Sequence, residues 1–451
     1  MGDAEDATIK ELEDEAAKLV KLLNSREAKR PLIIEFSGTP KSGKTMAISV
    51  LRLFMRRNGI QVEAYTERAS IAPLKAKGHI DFNVWVSCAS LQGMLESLDK
   101  EIDIFILDRG LFDALVWNHW LDMTGKIKKE EADAVNSFFT MSRWMSLVDL
   151  VCVMKCSPKA AIDREYAHQL TSKRGAIMDE TILSQLNSAI DKTVETYRSR
   201  FHKLFVIDTT ETKPKEGVTS ITKETFRILN EFLDEPLCVI PKDAVDFEIP
   251  RYGFVADRSR VERFEKLIAK HSLFIPRSIA ERDAKYLIPI PCAVVMHKNQ
   301  VLVLRRKERG HSLHDTYAIW AGGHVVKSDG SSNGIEQILT NALRRELSEE
   351  IFIRDDYEIA PMGLVRTSES ERASRHIGIA YRADLSSPHV ALALHQKEFR
   401  ETKGKSMSGR LVPTDQLLEI YEEMGDWSKY IVDEFWPGQK SLFNSSVIEK
   451  F

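Results

Sequence analysis

Two groups of residues in this chain have the types and spacing that phosphate chemistry needs. The first is Gly38-Thr39-Pro40-Lys41-Ser42-Gly43-Lys44-Thr45, which fits GxxxxGKT residue for residue. Its glycines let successive backbone N–H groups turn toward phosphate oxygens, and a following helix presents its positive dipole end to the same charge. Lys44 can reach β- and γ-phosphates while the Thr45 hydroxyl holds Mg²⁺, so Gly38, Lys41, Ser42, Gly43, Lys44 and Thr45 form the candidate nucleotide cradle. The second group is Arg345-Glu346-Leu347-Ser348-Glu349-Glu350. Its carboxylates at i, i+3 and i+4 fall on one helix face and repel one another unless a cation sits among them. Hard oxygen donors of this kind suit Mg²⁺ or Mn²⁺, which would activate water and hold a pyrophosphate. An acidic run is by default a solvated helix face. Here Ala318-Ile319-Trp320-Ala321-Gly322-Gly323-His324 lies upstream, and Gly-Gly permits close approach of backbone to a metal or phosphate. Glu346, Glu349 and Glu350 are therefore candidate metal ligands, with Glu349 a candidate catalytic residue.

Between these groups stand shorter signals. Asp108-Arg109-Gly110 closes the apolar run Ile102 to Leu107, which in an open parallel sheet is the carboxyl edge where ligands bind. Asp108 can hold Mg²⁺ or its water and Arg109 can neutralise a phosphate, because phosphoryl transfer is mostly positioning plus charge stabilisation. Thr66-Glu67-Arg68 follows Tyr65, and Glu67 can orient or deprotonate an acceptor hydroxyl. Lys155-Cys156-Ser157-Pro158 leads into a helix with Arg164, and Lys173-Arg174-Gly175 follows in a polar stretch. Arginines on a closing lid would supply transition-state charge and exclude water. Each of these, taken singly, also reads as an ordinary surface charge.

The elements that must carry these residues are legible as periodicity. An amphipathic helix from about Ala7 to Leu23 precedes the strand Leu32 to Phe36, and a helix from Met46 to Arg57 ends at Asn58-Gly59. Strand signals at Gln61 to Tyr65, Ile102 to Leu107, Leu147 to Met154 and Leu204 to Ile207 alternate with helical stretches, which predicts an α/β, doubly wound parallel sheet. A helix around Thr222 to Phe232 runs into Leu233-Asp234-Glu235-Pro236, where the domain boundary is placed: residues 1–235 and 236–451. After a stretch with little pattern, Ile288-Pro289-Ile290-Pro291 excludes helix, and strands follow at Ala293 to Met296 and Val301 to Leu304. From Ile335 to Ile351 the apolar residues make one helical stripe.

A chain of 451 residues exceeds one ordinary core and fits two. With 29% charged residues and a net charge of −3, nothing in the bulk draws it to nucleic acid or to anionic lipid. The five cysteines are scattered without ligand spacing and read as buried thiols of a reducing cytoplasmic compartment. An acidic N-terminus is unlike a signal peptide, and no apolar run approaches membrane-spanning length. The expected partners are small nucleoside or nucleotide substrates, and the composition admits a homo-oligomer.

From about Pro31 to Glu235 the chain resembles the thymidylate kinase and deoxyribonucleoside kinase superfamily, through the phosphate loop, Thr66-Glu67-Arg68, Asp108-Arg109 and the lid with Arg164 and Arg174. The resemblance implies MgATP-dependent phosphorylation of a nucleoside or nucleotide. It departs from the family in Ala89-Ser90-Leu91-Gln92, which keeps a base-side Gln without the family's nearby Arg, and in Pro40-Lys41 within the loop. From about Leu287 to about Ile420 the chain resembles Nudix hydrolases, since Arg345, Glu346, Glu349 and Glu350 match REUxEE position by position. That resemblance implies an α/β/α sandwich in which the three glutamates carry the metal and the Arg orients them. Departures are Gln337 at the spaced Glu, with Glu336 one residue off, a longer loop after Gly323, and Phe352 for the Gly after the paired glutamates. Arg305 and Arg306 are candidate phosphate contacts. The two resemblances together imply a bifunctional enzyme, with a nucleotide-sensing regulator as the alternative.

Overall fold

The structure, a computed structural model, describes residues 3–25, 30–74, 78–167, 175, 177–245, 250–306, 316–330, 337–393, 399 and 408–437. Contacts divide the chain into two compact units, the first closing at Leu233 and the second opening at Asp234.

The first unit runs α1 (Asp3–Ser25), β1 (Leu32–Gly38), α2 (Lys44–Arg57), β2 (Val62–Tyr65), α3 (Ile80–Ser97), β3 (Ile104–Asp108), α4 (Leu111–Met123), α5 (Lys129–Phe139), α6 (Ser142–Met145), β4 (Leu150–Lys155), α7 (Pro158–Ala167), α8 (Glu180–Tyr197), β5 (Leu204–Asp208) and α9 (Pro214–Leu233). Its five strands are all parallel, in the order β2-β3-β1-β4-β5. The central strand β1 is buried at every position, as expected for a strand covered on both faces. Ile33, Phe105 and Val151 pack on one face against α3, α4 and α8. Leu32, Ile34 and Phe36 pack on the other with α2 and α9. Helix α1 buries Leu12, Ala16 and Leu19 and lies against α9. Because β1 is flanked by β3 and β4, its carboxyl end opens at the point where the strand order reverses, the usual ligand crevice of such sheets.

The second unit continues with β6 (Pro236–Pro241), β7 (Gly253–Val255), α10 (Arg258–His271), β8 (Leu273–Pro276), α11 (Arg277–Ala280), β9 (Tyr286–His297), β10 (Gln300–Arg305), β11 (Tyr317–Ala318), β12 (Ala321–Gly322), α12 (Ile338–Glu350), β13 (Ile351–Ile353), β14 (Tyr357–Arg366), β15 (His376–Leu385), β16 (Val390–Leu392), β17 (Arg410–Pro413) and α13 (Asp426–Phe435). Its main sheet is mixed: β9 runs parallel to β15 and antiparallel to β10, β12 and β6. Alternation along β9 divides the core. Ala293 and Val295 face α10 and α12, whereas Ile290, Cys292 and Val294 face α13.

The prolines that exclude helix at Pro289 and Pro291 sit inside this central strand. On the side away from β15 the ladder passes from β6, which reaches Leu287, to β12, which meets β9 at Cys292. The missing N–H groups therefore fall where no neighbouring strand needs them. The stretch from Pro236 to Leu287, patternless in the sequence, forms three strands and two helices, among them α10 with Val261, Phe264 and Ile268 buried. Four of the five cysteines are buried thiols as expected, but Cys88 is exposed. No helix among the described residues is long and apolar enough to cross a membrane.

Candidate functional site

The phosphate loop is a backbone device at the end of β1. Gly38 adopts φ 131°, and a Cβ there would run into the Met154 carbonyl of β4. Lys41 at φ 61° and Gly43 at φ 97° turn the chain through the left-handed region before α2 begins at Lys44. The loop is pinned on its outer side as well: Thr39 N–H donates to Met154 O at 3.0 Å, and Thr209 Oγ1 donates to Ser42 O at 3.0 Å. Lys44 is buried, and its Nζ donates to the loop's own carbonyls, Gly38 O at 3.0 Å and Thr39 O at 2.8 Å. Burial, with the nearby Arg109 charge second, pushes its pKa down to about 8. Thr45 is exposed on the first turn of α2, open to a ligand.

Arg164 on α7 does not hang free as a lid arginine. It donates to the carbonyls of Lys41 at 3.2 Å and Thr210 at 3.3 Å, and to that of Thr209. Beside it, Glu165 pairs with Lys41 at 2.6 Å. Lys41 and Arg164 thus brace the phosphate loop against α7. Arg174 and Lys173 lie outside the described residues.

Across the crevice, Asp108 ends β3 and Arg109 follows at φ 71°, a left-handed conformation that turns the chain into α4. Arg109 is buried in an ion network: Nε lies 2.9 Å from Glu67 Oε1, and Nη1 lies 2.9 Å from both oxygens of Asp113. Those carboxylates, Asp113 first, raise its pKa against the opposing effect of burial. Asp113 also accepts from Ser37 Oγ at 2.7 Å. Burial raises the Asp108 carboxyl, while Arg109 and Lys44 act to lower it. Glu67, Asp108 and Arg109 are therefore brought to one side of Lys44, whose charge feels all three. A small cavity between the loop and the α4 and α8 helices is lined by Thr39, Pro40, Arg109, Asp113, Trp117 and Leu186. Gln92 on α3 is exposed and donates to Glu96 at 2.7 Å.

Two residues escaped the sequence reading. Asp113 lies one helical turn after Arg109, a spacing that could have flagged it. Glu35 is the one charged residue in the β1 run Leu32–Gly38 and is fully buried. Its carboxylate accepts from the N–H groups of Gly110 at 2.9 Å, Phe112 at 3.0 Å and Asp113 at 2.8 Å, the first turn of α4. Desolvation pushes its pKa up to about 7, against the lowering effect of those bonds.

In the second unit, the Gly-Gly turn and α12 meet as side chain against backbone. Gly322 adopts φ 149° where it pairs with β9, and a Cβ would strike Pro291 O. A Cβ on Gly323 would strike the Glu346 carboxylate. Gly322 N–H donates to Glu350 Oε2 at 3.2 Å. Arg345 orders the face: it donates to Asp329 at 2.9 and 3.1 Å, to His324 O at 2.8 Å and to Glu346 at 2.8 Å, and it reaches Glu349 at 3.3 Å. Asp329 itself is buried and accepts from Val326 N–H at 2.9 Å. Glu346 and Glu349 thus share one guanidinium and Glu350 holds the turn, yet among the described residues no three His, Cys, Asp or Glu side chains converge as a ready metal shell. Gln337 caps the start of α12 without a side-chain bond, and Glu336 lies outside the described residues. Phe352 is tolerated because α12 passes directly into the extended β13, with no left-handed turn to require glycine. Arg305 pairs with Tyr317 Oη at 3.1 Å and Glu423 at 3.3 Å, while Arg306 lies over the Trp320 ring at 4.5 Å.

Comparison with known proteins returns no matching family model. Over 207 residues, 45% of this chain and 97% of the relative, the sequence is 28% identical to Protein YmaB of Bacillus subtilis (strain 168). Among solved structures, deoxyadenosine kinase from M. mycoides with bound dATP is similar at 16% identity, with a TM-score of 0.35 over 43% of this chain and 99% of that one. Tm1382, whose assignment as a Nudix hydrolase is provisional, is similar at 24% identity, with a TM-score of 0.34 over 44% of this chain and 95% of that one.

Proposed function

We propose that residues 1–235 are a P-loop phosphotransferase that uses MgATP to phosphorylate a nucleoside or nucleotide, and that residues 236–451 are a Nudix-like α/β/α sandwich hydrolysing a nucleoside diphosphate derivative. The observation that carries the first half is the facing of Lys44 and Arg109 across one crevice, with Glu67, Asp108 and Asp113 around them. ATP supplies the γ-phosphoryl group and Mg²⁺ spreads its charge. The fit to a metal is electrostatic: two cations among three carboxylates leave an anionic crevice, which accepts a polyphosphate only when a divalent ion accompanies it. Thr45 and Asp108 would hold that ion. Lys44 would exchange the carbonyls of Gly38 and Thr39 for phosphate oxygens, Arg109 would steady the transferred group, and Glu67 would orient the acceptor hydroxyl. Arg164 would act by holding the loop at Lys41, and Arg174 would belong to the lid.

For the second unit, Glu346, Glu349 and Glu350 would take Mg²⁺ or Mn²⁺ once Arg345 yields part of its hold on Glu346 and Glu349. That existing hold favours a second reading, a nucleotide-sensing regulator whose Nudix half binds without cleaving. Labelled ATP with a panel of nucleosides and monophosphates separates the readings, since a sensor binds and transfers nothing. Metal-dependent pyrophosphatase activity is expected to fall by roughly a hundredfold or more in Glu349→Gln. An unchanged rate in that variant removes the catalytic assignment.

A further inference from the structure

The carboxylate of Glu35 is not part of the phosphate loop, yet it is the most deeply buried charge beside the crevice. It sits on the central strand, on the face that carries Ile33 and Ser37, and the N–H groups of Gly110, Phe112 and Asp113, at the start of α4, converge on it. Gly110 makes that convergence feasible, because a Cβ at this position would lie 2.8 Å from the Glu35 carboxyl carbon. Two of the residues it grips adjoin or contact Arg109. Gly110 follows Arg109 directly, and Asp113 is the residue that forks the Arg109 guanidinium. Arg109 is tied at its backbone too, donating from N–H to Phe36 O at 2.9 Å, next to Glu35 on the same strand.

We propose that Glu35 is a positioning residue for phosphoryl transfer: by gripping the first turn of α4 it sets the Asp113 fork and so aims Arg109 at the transferred phosphoryl group. The proposal rests on the phosphotransferase reading of the first unit and adds to it a residue that touches neither substrate nor nucleotide. Glu35 acts on the acceptor side of the crevice. The phosphate loop is secured separately, by Met154, Thr209 and Arg164. Binding of MgATP and aiming of Arg109 are thereby separable in this fold.

The test uses the full chain carrying Glu35→Gln. The amide keeps one oxygen for Gly110 and Asp113 but turns an NH₂ toward the Phe112 N–H, a donor against a donor. With labelled ATP and a panel of deoxynucleosides and their monophosphates, the KM for ATP is expected to stay at the wild-type value while kcat falls roughly a hundredfold, the scale of a misplacement of about 1 Å. Adding Arg109→Lys to this variant is expected to cost nothing more than Arg109→Lys alone, since both changes remove the same aimed guanidinium. A wild-type kcat in Glu35→Gln, or losses that multiply in the double variant, overturns the proposal. If the wild-type chain phosphorylates nothing, the phosphotransferase reading fails. The positioning claim is then decided by the Arg109 guanidinium NMR signal, identified by its disappearance in Arg109→Lys. It is expected to shift or broaden in Glu35→Gln, and an unchanged signal overturns the claim. Should Glu35→Gln not fold, Gly110→Ala changes the same contact from the helix side, with the same expected split between kcat and KM.

Discussion

Lys44 shows how burial prepares a residue for its ligand. A lysine in water is protonated well past neutrality, but here desolvation brings the pKa down to about 8, and the ammonium meets only neutral acceptors directly, the carbonyls of Gly38 and Thr39 and, at 3.5 Å, the Ser42 hydroxyl. The sign follows. As pH falls from the ordinary value toward about 8, the unfolded chain takes up a proton that the folded chain refuses, so this group contributes its full stability only above the ordinary lysine value. A polyphosphate supplies the missing counter-charge and restores the proton. MgATP binding near pH 8 is therefore expected to take up protons, read by calorimetry in buffers of different ionisation enthalpy, and Lys44→Met is expected to abolish the uptake. No uptake in the wild-type protein would show that Lys44 does not meet the phosphates. Glu35 carries the opposite window: with its carboxyl pushed from 4.5 up to about 7, its stabilising contribution is present below the lower value and is lost as pH rises through the upper one.

At the scale of elements, what the sequence discloses depends on whether the constraint is local. The loop from Gly38 to Thr45 and the stripe of α12 are legible because glycine geometry and helical period act within a few residues. Glu35 was not legible: inside a buried strand its meaning lies in the α4 amides more than seventy positions away. Helix α10 was missed because its apolar residues are thinly spaced among charges, with Val261, Phe264 and Ile268 alone buried. The prolines of β9 are readable as strand-internal only once the gap between β6 and β12 is known. The same contrast separates the two adjacent glycines before α12. Gly322 is fixed by its φ of 149°, whereas Gly323 has no such backbone need and is fixed by the Glu346 carboxylate alone. Gly323→Ala is thus expected to leave β12 paired with β9 but to push Glu346 aside, weakening Mn²⁺ binding by roughly ten- to a hundredfold in calorimetric titration. Unaltered Mn²⁺ affinity would mean that Glu346 is not a ligand. In Gly38→Ala both constraints act together, the positive φ and the Met154 carbonyl, so loss of measurable MgATP binding is expected, with wild-type affinity as the contrary result.

At the scale of the whole chain, each unit has its own cores and draws its candidate residues from its own strands and helices. The phosphate loop, Arg109 and Glu67 all precede Leu233, and Arg345 with the three glutamates all follow Asp234. Each set belongs to one unit, and a bifunctional enzyme and a regulator make different forecasts for single substitutions. In the enzyme, Lys44→Ala removes the cation that must meet the β- and γ-phosphates and is expected to abolish phosphoryl transfer while metal-dependent hydrolysis continues. Glu349→Gln is expected to do the reverse, and the double variant to lack both. In a regulator, Lys44→Ala abolishes ATP binding with no transfer to lose, and Glu349→Gln alters no rate. Paired assays of transfer and hydrolysis on the same preparations of this chain decide between them, because a crossed pattern of losses arises only when two sites each perform chemistry.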